Sequence, residues 1–315
     1  MTTLETPRIV IAYDGSPSAR VGVLRAAELF AGAHATIVSV AQGLGALAEA
    51  SGAARAALPD DMIREAVGRL RETALAEAQE LAEQGCREAV DSGLRAEAKT
   101  VAAERSVSAA VAQAAEEAGA DVIVCGTSGH GAAVRALVGS VALALVRHAQ
   151  VPVLIVPEAA GHASGPVVVA FDGSPSALGA VRVAGSLFSG REALVVQVWK
   201  RPFRHALTST VARRLPLPAM REVVDGLDRA AEASAEATTD SGLALALAEG
   251  LRPTKATVES SDGVQQTIMR VAREADAAVT VLGRRGLGTV PGVILGSVST
   301  ALMYASEGPV LIAHA

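Results

Sequence analysis

Arg8-Ile-Val-Ile-Ala-Tyr-Asp-Gly-Ser-Pro-Ser18 returns half a chain later as Pro166-Val-Val-Val-Ala-Phe-Asp-Gly-Ser-Pro-Ser176. Each copy is a short apolar run that stops at Asp-Gly and is followed by Ser-Pro. The run suits a strand buried on both faces, and Ser-Pro suits a helix N-cap and first turn. A β-to-α step is therefore expected twice, at the start of each half of the chain.

Other blocks repeat in the same order. Asp121-Val-Ile-Val-Cys-Gly126 corresponds to Ala277-Ala-Val-Thr-Val-Leu-Gly283, and Val151-Pro-Val-Leu-Ile155 to Gly308-Pro-Val-Leu-Ile312. Short apolar runs alternating with Ala-rich helical patterns are the signature of βαβ units and a mainly parallel sheet. Five strands are expected per half, in the first Arg8 to Tyr13, Ala35 to Val40, Arg95 to Ala102, Asp121 to Cys125 and Val151 to Val156. Gly32, Gly93 and Gly119 fall where helices should stop. The segments Ala41 to Asp60 and Trp199 to Leu217 match poorly between halves and read as variable loops. Small and polar residues from Glu158 to Gly165 read as a linker, giving domains over 1–158 and 166–315 joined by 159–165.

Composition narrows the function classes. Half of the 315 residues are hydrophobic but only 2% are aromatic, so the cores are built from Ala, Val, Leu and Ile. The net charge is −5, lysine occurs only at Lys99, Lys200 and Lys255, and no sustained basic face is visible, which argues against nucleic acid. Cys86 and Cys125 form neither a C-x-x-C pair nor a metal cluster, and Cys125 reads as a small core residue. Residues 1–6 are polar, without a basic and apolar leader, and no apolar run approaches a membrane span. A cytoplasmic protein with reduced thiols is the expectation.

The residues that carry chemistry are Gly126-Thr-Ser-Gly129, nine residues, then Gly139-Ser140, repeated as Gly283-Arg-Arg-Gly286, nine residues, then Gly296-Ser297. Each block leaves a strand and enters a helix. Glycines there let backbone approach a ligand, and the N–H groups and dipole of the following helix favour an anion such as a polyphosphate. Asp14 and Asp172 end the first strand of each half, where open parallel sheets place ligands. Two readings of each Asp stand: acceptor for adenine or ribose, or holder of a capped turn. Arg284 and Arg285 replace Thr127 and Ser128, either to pair with phosphates or as solvated side chains. His130 reads as an exposed loop imidazole. Neither a P-loop, a dinucleotide fingerprint nor a nucleophile elbow is present.

At these motifs the chain resembles the universal stress protein family in its tandem form. The resemblance implies two Rossmann-like (adenine nucleotide alpha hydrolase-like) α/β domains, each a five-stranded parallel sheet of order 3-2-1-4-5 with helices on both faces. It implies ATP, with Mg²⁺ or Mn²⁺ bound through its phosphates. Carried over by motif, the site residues are Asp14, Val40, Gly126, Gly129, Gly139, Ser140 and Val141 in the first half. Asp172, Val198, Gly283, Gly286, Gly296, Ser297 and Val298 are those of the second. Val40 and Val198 match the position whose backbone reads adenine. Pro291 in the second loop and Thr-Ser in the first depart from the family pattern and speak against equal sites. Fifth strands pair in this family, so Val151 to Val156 and Pro309 to Ala313, apolar edges, are expected to pair as an internal pseudo-dimer. A homodimer of whole chains is compatible with the sequence. An ATP-binding stress-response module is the leading functional expectation, beside a slow ATP hydrolase and a nucleotide-free, chaperone-like scaffold.

Overall fold

Ser16 and Ser174 set the pattern on which both halves are built. Each has extended backbone, and its hydroxyl accepts from an N–H three residues on, that of Ala19 or Ala177, at 3.2 Å. Pro17 and Pro175 follow with φ already helical. A cap of this kind contributes about 1 kcal/mol, enough to place a helix start to the residue.

The computed structural model describes residues 6–42, 59–103, 106–127, 138–161, 164–201, 217–286 and 295–314. Most of both expected variable loops, and with them Ser128, Gly129, His130 and Pro291, lie outside the described residues. The first half runs β1 (Arg8–Ala12), α1 (Pro17–Leu29), β2 (His34–Ala41), α2 (Asp60–Asp91), β3 (Arg95–Ala102), α3 (Val107–Ala118), β4 (Val122–Gly126), α4 (Ser140–His148) and β5 (Val153–Val156). The second runs β6 (Val167–Ala170), α5 (Pro175–Phe188), β7 (Glu192–Trp199), α6 (Leu217–Ala248), β8 (Arg252–Glu259), α7 (Val264–Glu274), β9 (Val279–Gly283), α8 (Ser297–Ala305) and β10 (Val310–Ala313).

By contact the chain falls into two compact units, Met1–Ala163 with Met303–His314, and Ser164–Leu302. In the first, β3, β2, β1, β4 and β5 lie side by side and parallel, with Ile9 opposite Ala35 on one side and Val122 on the other. Order 3-2-1-4-5 follows. In the second, β8, β7, β6 and β9 repeat the 3-2-1-4 part, with Val167 between Ala193 and Val279. The last strand, β10, clusters with the first unit and runs antiparallel to β5, Leu311 opposite Leu154. All four residues of both strands are buried, so the pairing covers an apolar edge that would otherwise invite aggregation.

The core of the first unit sits in the sheet itself, where Ile9, Ile11, Ile37, Ile123, Leu154 and Ile155 are fully buried. Each such side chain is worth roughly 1.5–3 kcal/mol relative to exposure. Helix α3 starts on the Ser106 hydroxyl and stops at Gly119, whose φ of 58° is the left-handed conformation that glycine tolerates. Among the described residues, no helix is long and apolar enough to cross a membrane.

Candidate functional site

Strand β1 ends early relative to β2, and the difference opens the site. The Tyr13 N–H donates to the Val38 carbonyl at 2.9 Å, after which the chain turns away through Asp14. Strand β2 continues to Ala41. Backbone polar groups alternate sides along a strand, so Val40, two residues past Val38, directs its N–H and C=O to the side that β1 has left. The neighbouring Ala41 carbonyl points the other way and accepts from the Ala103 N–H at 3.1 Å.

A cavity of about 770 Å³ lies there, at the carboxyl ends of β1, β2 and β4. Its lining includes Asp14, Val40, Gly126, Gly139, Ser140 and Val141, six of the seven residues singled out by motif in the first half. The seventh, Gly129, is outside the described residues. Its size is that of a small-molecule site, and its position is the strand-order reversal where open α/β sheets bind ligands.

One wall is anion-seeking. The Gly139 N–H donates to the Thr127 carbonyl at 2.5 Å, and the Leu143 N–H closes the first helical bond on the Gly139 carbonyl at 3.1 Å. The N–H groups of Ser140, Val141 and Ala142 therefore precede the hydrogen-bonded body of α4. Gly139 at the N-cap carries no side chain to satisfy them. Three amides and the positive end of a nine-residue helix converge on the cavity.

The opposite wall holds Asp14. One carboxylate oxygen accepts from the Ser16 N–H at 3.0 Å, so Asp14 both holds the turn and lines the cavity. The turn-holding reading of Asp14 is thus realised, and its place on the cavity wall is the one the acceptor reading requires. Ser39 anchors the same corner, its hydroxyl donating to the Tyr13 carbonyl at 2.6 Å. The Tyr13 hydroxyl in turn donates to Glu88 at 2.9 Å, and burial together with Glu88 raises its pKa to about 12.

Gly126 is glycine for a reason other than ligand approach. A Cβ there would lie 2.4 Å from the Ser18 hydroxyl and 2.9 Å from the Ser18 carbonyl carbon, so the space belongs to α1. Gly283 stands in the same relation to Ser176. Cys125 beside it is 4% exposed, as a core residue should be, and burial pushes its thiol up to about 12.

Motif reasoning missed the roof. Ala74, Glu77, Ala78 and Leu81 of α2 and Val107 and Val111 of α3 also line the cavity. A signal existed in the repeat: Ala74 and Ala78 have counterparts Ala231 and Ala235, small residues four apart in both long helices.

The second unit repeats the frame. The Phe171 N–H donates to the Val196 carbonyl at 2.9 Å, and the Ser260 N–H to Trp199 at 2.8 Å, leaving Val198 in the orientation of Val40. The Ser174 N–H donates to Asp172 at 3.0 Å. The Gly296 N–H donates to the Arg284 carbonyl at 2.7 Å, as Gly139 does to Thr127, with Ser297 and Val298 opening α8. The other carboxylate oxygen of Asp172 lies 2.7 Å from where a Cβ on Gly286 would be, so Asp and glycine loop meet. Arg284 is half-buried, and burial, with the like charge of Arg285, lowers its pKa. Among the described residues, no group of three or more His, Cys, Asp or Glu is placed to hold a metal ion.

Comparison with known proteins gives this architecture a family. A universal stress protein of Mycobacterium tuberculosis is 32% identical over 212 residues, which is 62% of this chain and 62% of that protein. Another from the same organism is 29% identical over 196 residues, 61% of this chain and 58% of that one. The chain thus matches less than two thirds of the length of these curated relatives. The crystal structure of a universal stress protein from Archaeoglobus fulgidus superimposes with a TM-score of 0.56 at 19% identity, covering 98% of this chain and 97% of that one, a likeness of fold. The profile of the universal stress protein family matches residues 5–157 and again 164–314. The chain belongs to the universal stress protein family, with two copies of its domain in tandem.

Proposed function

We propose that the chain is an ATP-binding stress-response module with one adenine-nucleotide site per unit, in which occupancy changes shape or partner binding rather than feeding a catalytic cycle. The observation that carries this reading is the cavity of about 770 Å³ with unlike walls. Adenine fits the apolar side, against Val107, Val111 and the strand backbone at Val40. The ribose falls near Asp14, and the phosphates reach the Ser140, Val141 and Ala142 amides. A divalent cation would enter on the phosphates, since among the described residues the cavity lining offers Asp14 and Glu77 as its carboxylates. The equivalent frame around Asp172, Val198, Gly296, Ser297 and Val298 supports the second site.

Calorimetric titration with ATP, joined to thermal unfolding, tests the reading. Two equivalents per chain are expected, and at about a hundred times Kd one site adds roughly 2.7 kcal/mol of stability. Absence of heat and of any shift in Tm at millimolar ATP would favour a nucleotide-free scaffold. Steady phosphate release abolished by substitutions at Gly139 would favour a hydrolase.

A further inference from the structure

The two frames differ in charge at matched positions. Gly85 of α2 lies against Tyr13, and Gly242 of α6 against Phe171, so the long helices are in register and Ser234 stands where Glu77 does. Other positions also differ by charge. Lys200 follows β7 where Gln42 follows β2, and Arg284 leaves β9 where Thr127 leaves β4, with Arg285 next in sequence where the first half has Ser128. Gln42, Glu77 and Thr127 all line the first cavity. Strands β7, β6 and β9 are parallel neighbours, so Lys200, Asp172 and Arg284 sit together at their carboxyl ends. The first site thus combines Asp14 with Glu77, while the second has Lys200, Arg284 and Arg285 at the same end of the strands as Asp172, with Arg201 next to Lys200 paired to Glu259 and Asp228. Counting Arg135 in the sequence of the first loop reduces this difference without reversing it.

We infer that the two sites, both open to adenine nucleotides, are graded by ligand charge: the second favours nucleoside polyphosphates over monophosphates more strongly than the first does. This inference rests on the nucleotide reading above and divides it between sites. An added phosphate brings negative charge that Arg284 and Arg285 attract, Arg bidentately, and that Glu77 repels. Adenine and ribose recognition is shared, because Val40 and Val198, and Asp14 and Asp172, are placed alike. Discrimination therefore falls on the phosphate tail alone.

The test uses full chains with one site blocked, Gly139→Asp to leave the second and Gly296→Asp to leave the first. Each is titrated calorimetrically with ATP and with AMP. The ratio of AMP to ATP dissociation constants is expected to be at least about tenfold larger at the second site, the effect of one charge-assisted hydrogen bond. Arg285→Ser should shrink that ratio, and Thr127→Arg should raise it at the first site. Salt should narrow the gap, since exposed charges are screened. Equal or reversed ratios, with both ligands binding, would overturn the charge inference and leave the nucleotide reading intact. A blocked pair of chains that binds neither ligand would overturn both.

Discussion

Gly126 touches Ser18 so closely that a Cβ would sit 2.4 Å from its hydroxyl, and Gly283 meets Ser176 at 2.3 Å in the same way. These glycines let the first helix of each half lie on the fourth strand. Gly126→Ala and Gly283→Ala should each destabilise the chain by about 1–3 kcal/mol, the usual cost of overpacking. Denaturant unfolding checks this. Unchanged stability would mean that the helix does not lie where it is placed here.

Gly139 behaves differently. Its φ of −62° and ψ of 152° suit any residue, and aspartate is a good helix N-cap. Gly139→Asp should therefore hold or raise Tm while cutting ATP affinity at the first site by about a hundredfold or more, because its carboxylate takes the phosphate's place at the α4 amides. Stability and binding move in opposite directions, which a folding defect would not produce. Calorimetry beside thermal unfolding reads both.

How much of this was legible in the residues depends on what each residue does. Strand β3 coincides with its expected bounds, and β1, β2 and β4, where Val and Ile cluster in short apolar runs, fall within one residue of theirs. The Ser-Pro caps were legible for the same local reason. The role of Gly126 was not, since its neighbour Ser18 is set by tertiary packing. Nor was the roof, for Ala74 and Ala78 look like any Ala-rich helix until α2 is laid over β2 and β3. The clustering of β10 with the first unit depends on strand partners far apart in the chain.

Tyr13, Arg20 and Glu88 form a polar set in the first unit where the second has Phe171, Leu178 and Leu245. Tyr13→Phe should cost about 1 kcal/mol at neutral pH, the net worth of one hydrogen bond. The Tyr13 pKa is raised to about 12 from an ordinary value of 10.0, so the folded state holds this proton more tightly than the unfolded one. Its stabilisation is present below pH 10 and is lost as pH climbs toward 12. The stability gap between native chain and Tyr13→Phe should narrow over that window. Thermal unfolding at pH 9 and pH 11 measures it, and a constant gap would contradict the Glu88 contact.

Ala74 roofs the cavity without being deeply buried. Ala74→Leu adds volume where the nucleoside is placed and should weaken adenosine and ATP binding alike, by about tenfold, with little change in Tm. An effect on ATP alone would instead place the phosphates under α2.

The central claim is that the first amides of α4 hold phosphate. Amide nitrogen and proton chemical shifts of Ser140, Val141 and Ala142, followed by NMR during titration with ATP and separately with adenosine, test it most directly. Large, saturable shifts at these three amides with ATP, far smaller with adenosine and absent in Gly139→Asp, are the result expected here. Amides that stay in place at saturating ATP would contradict the account.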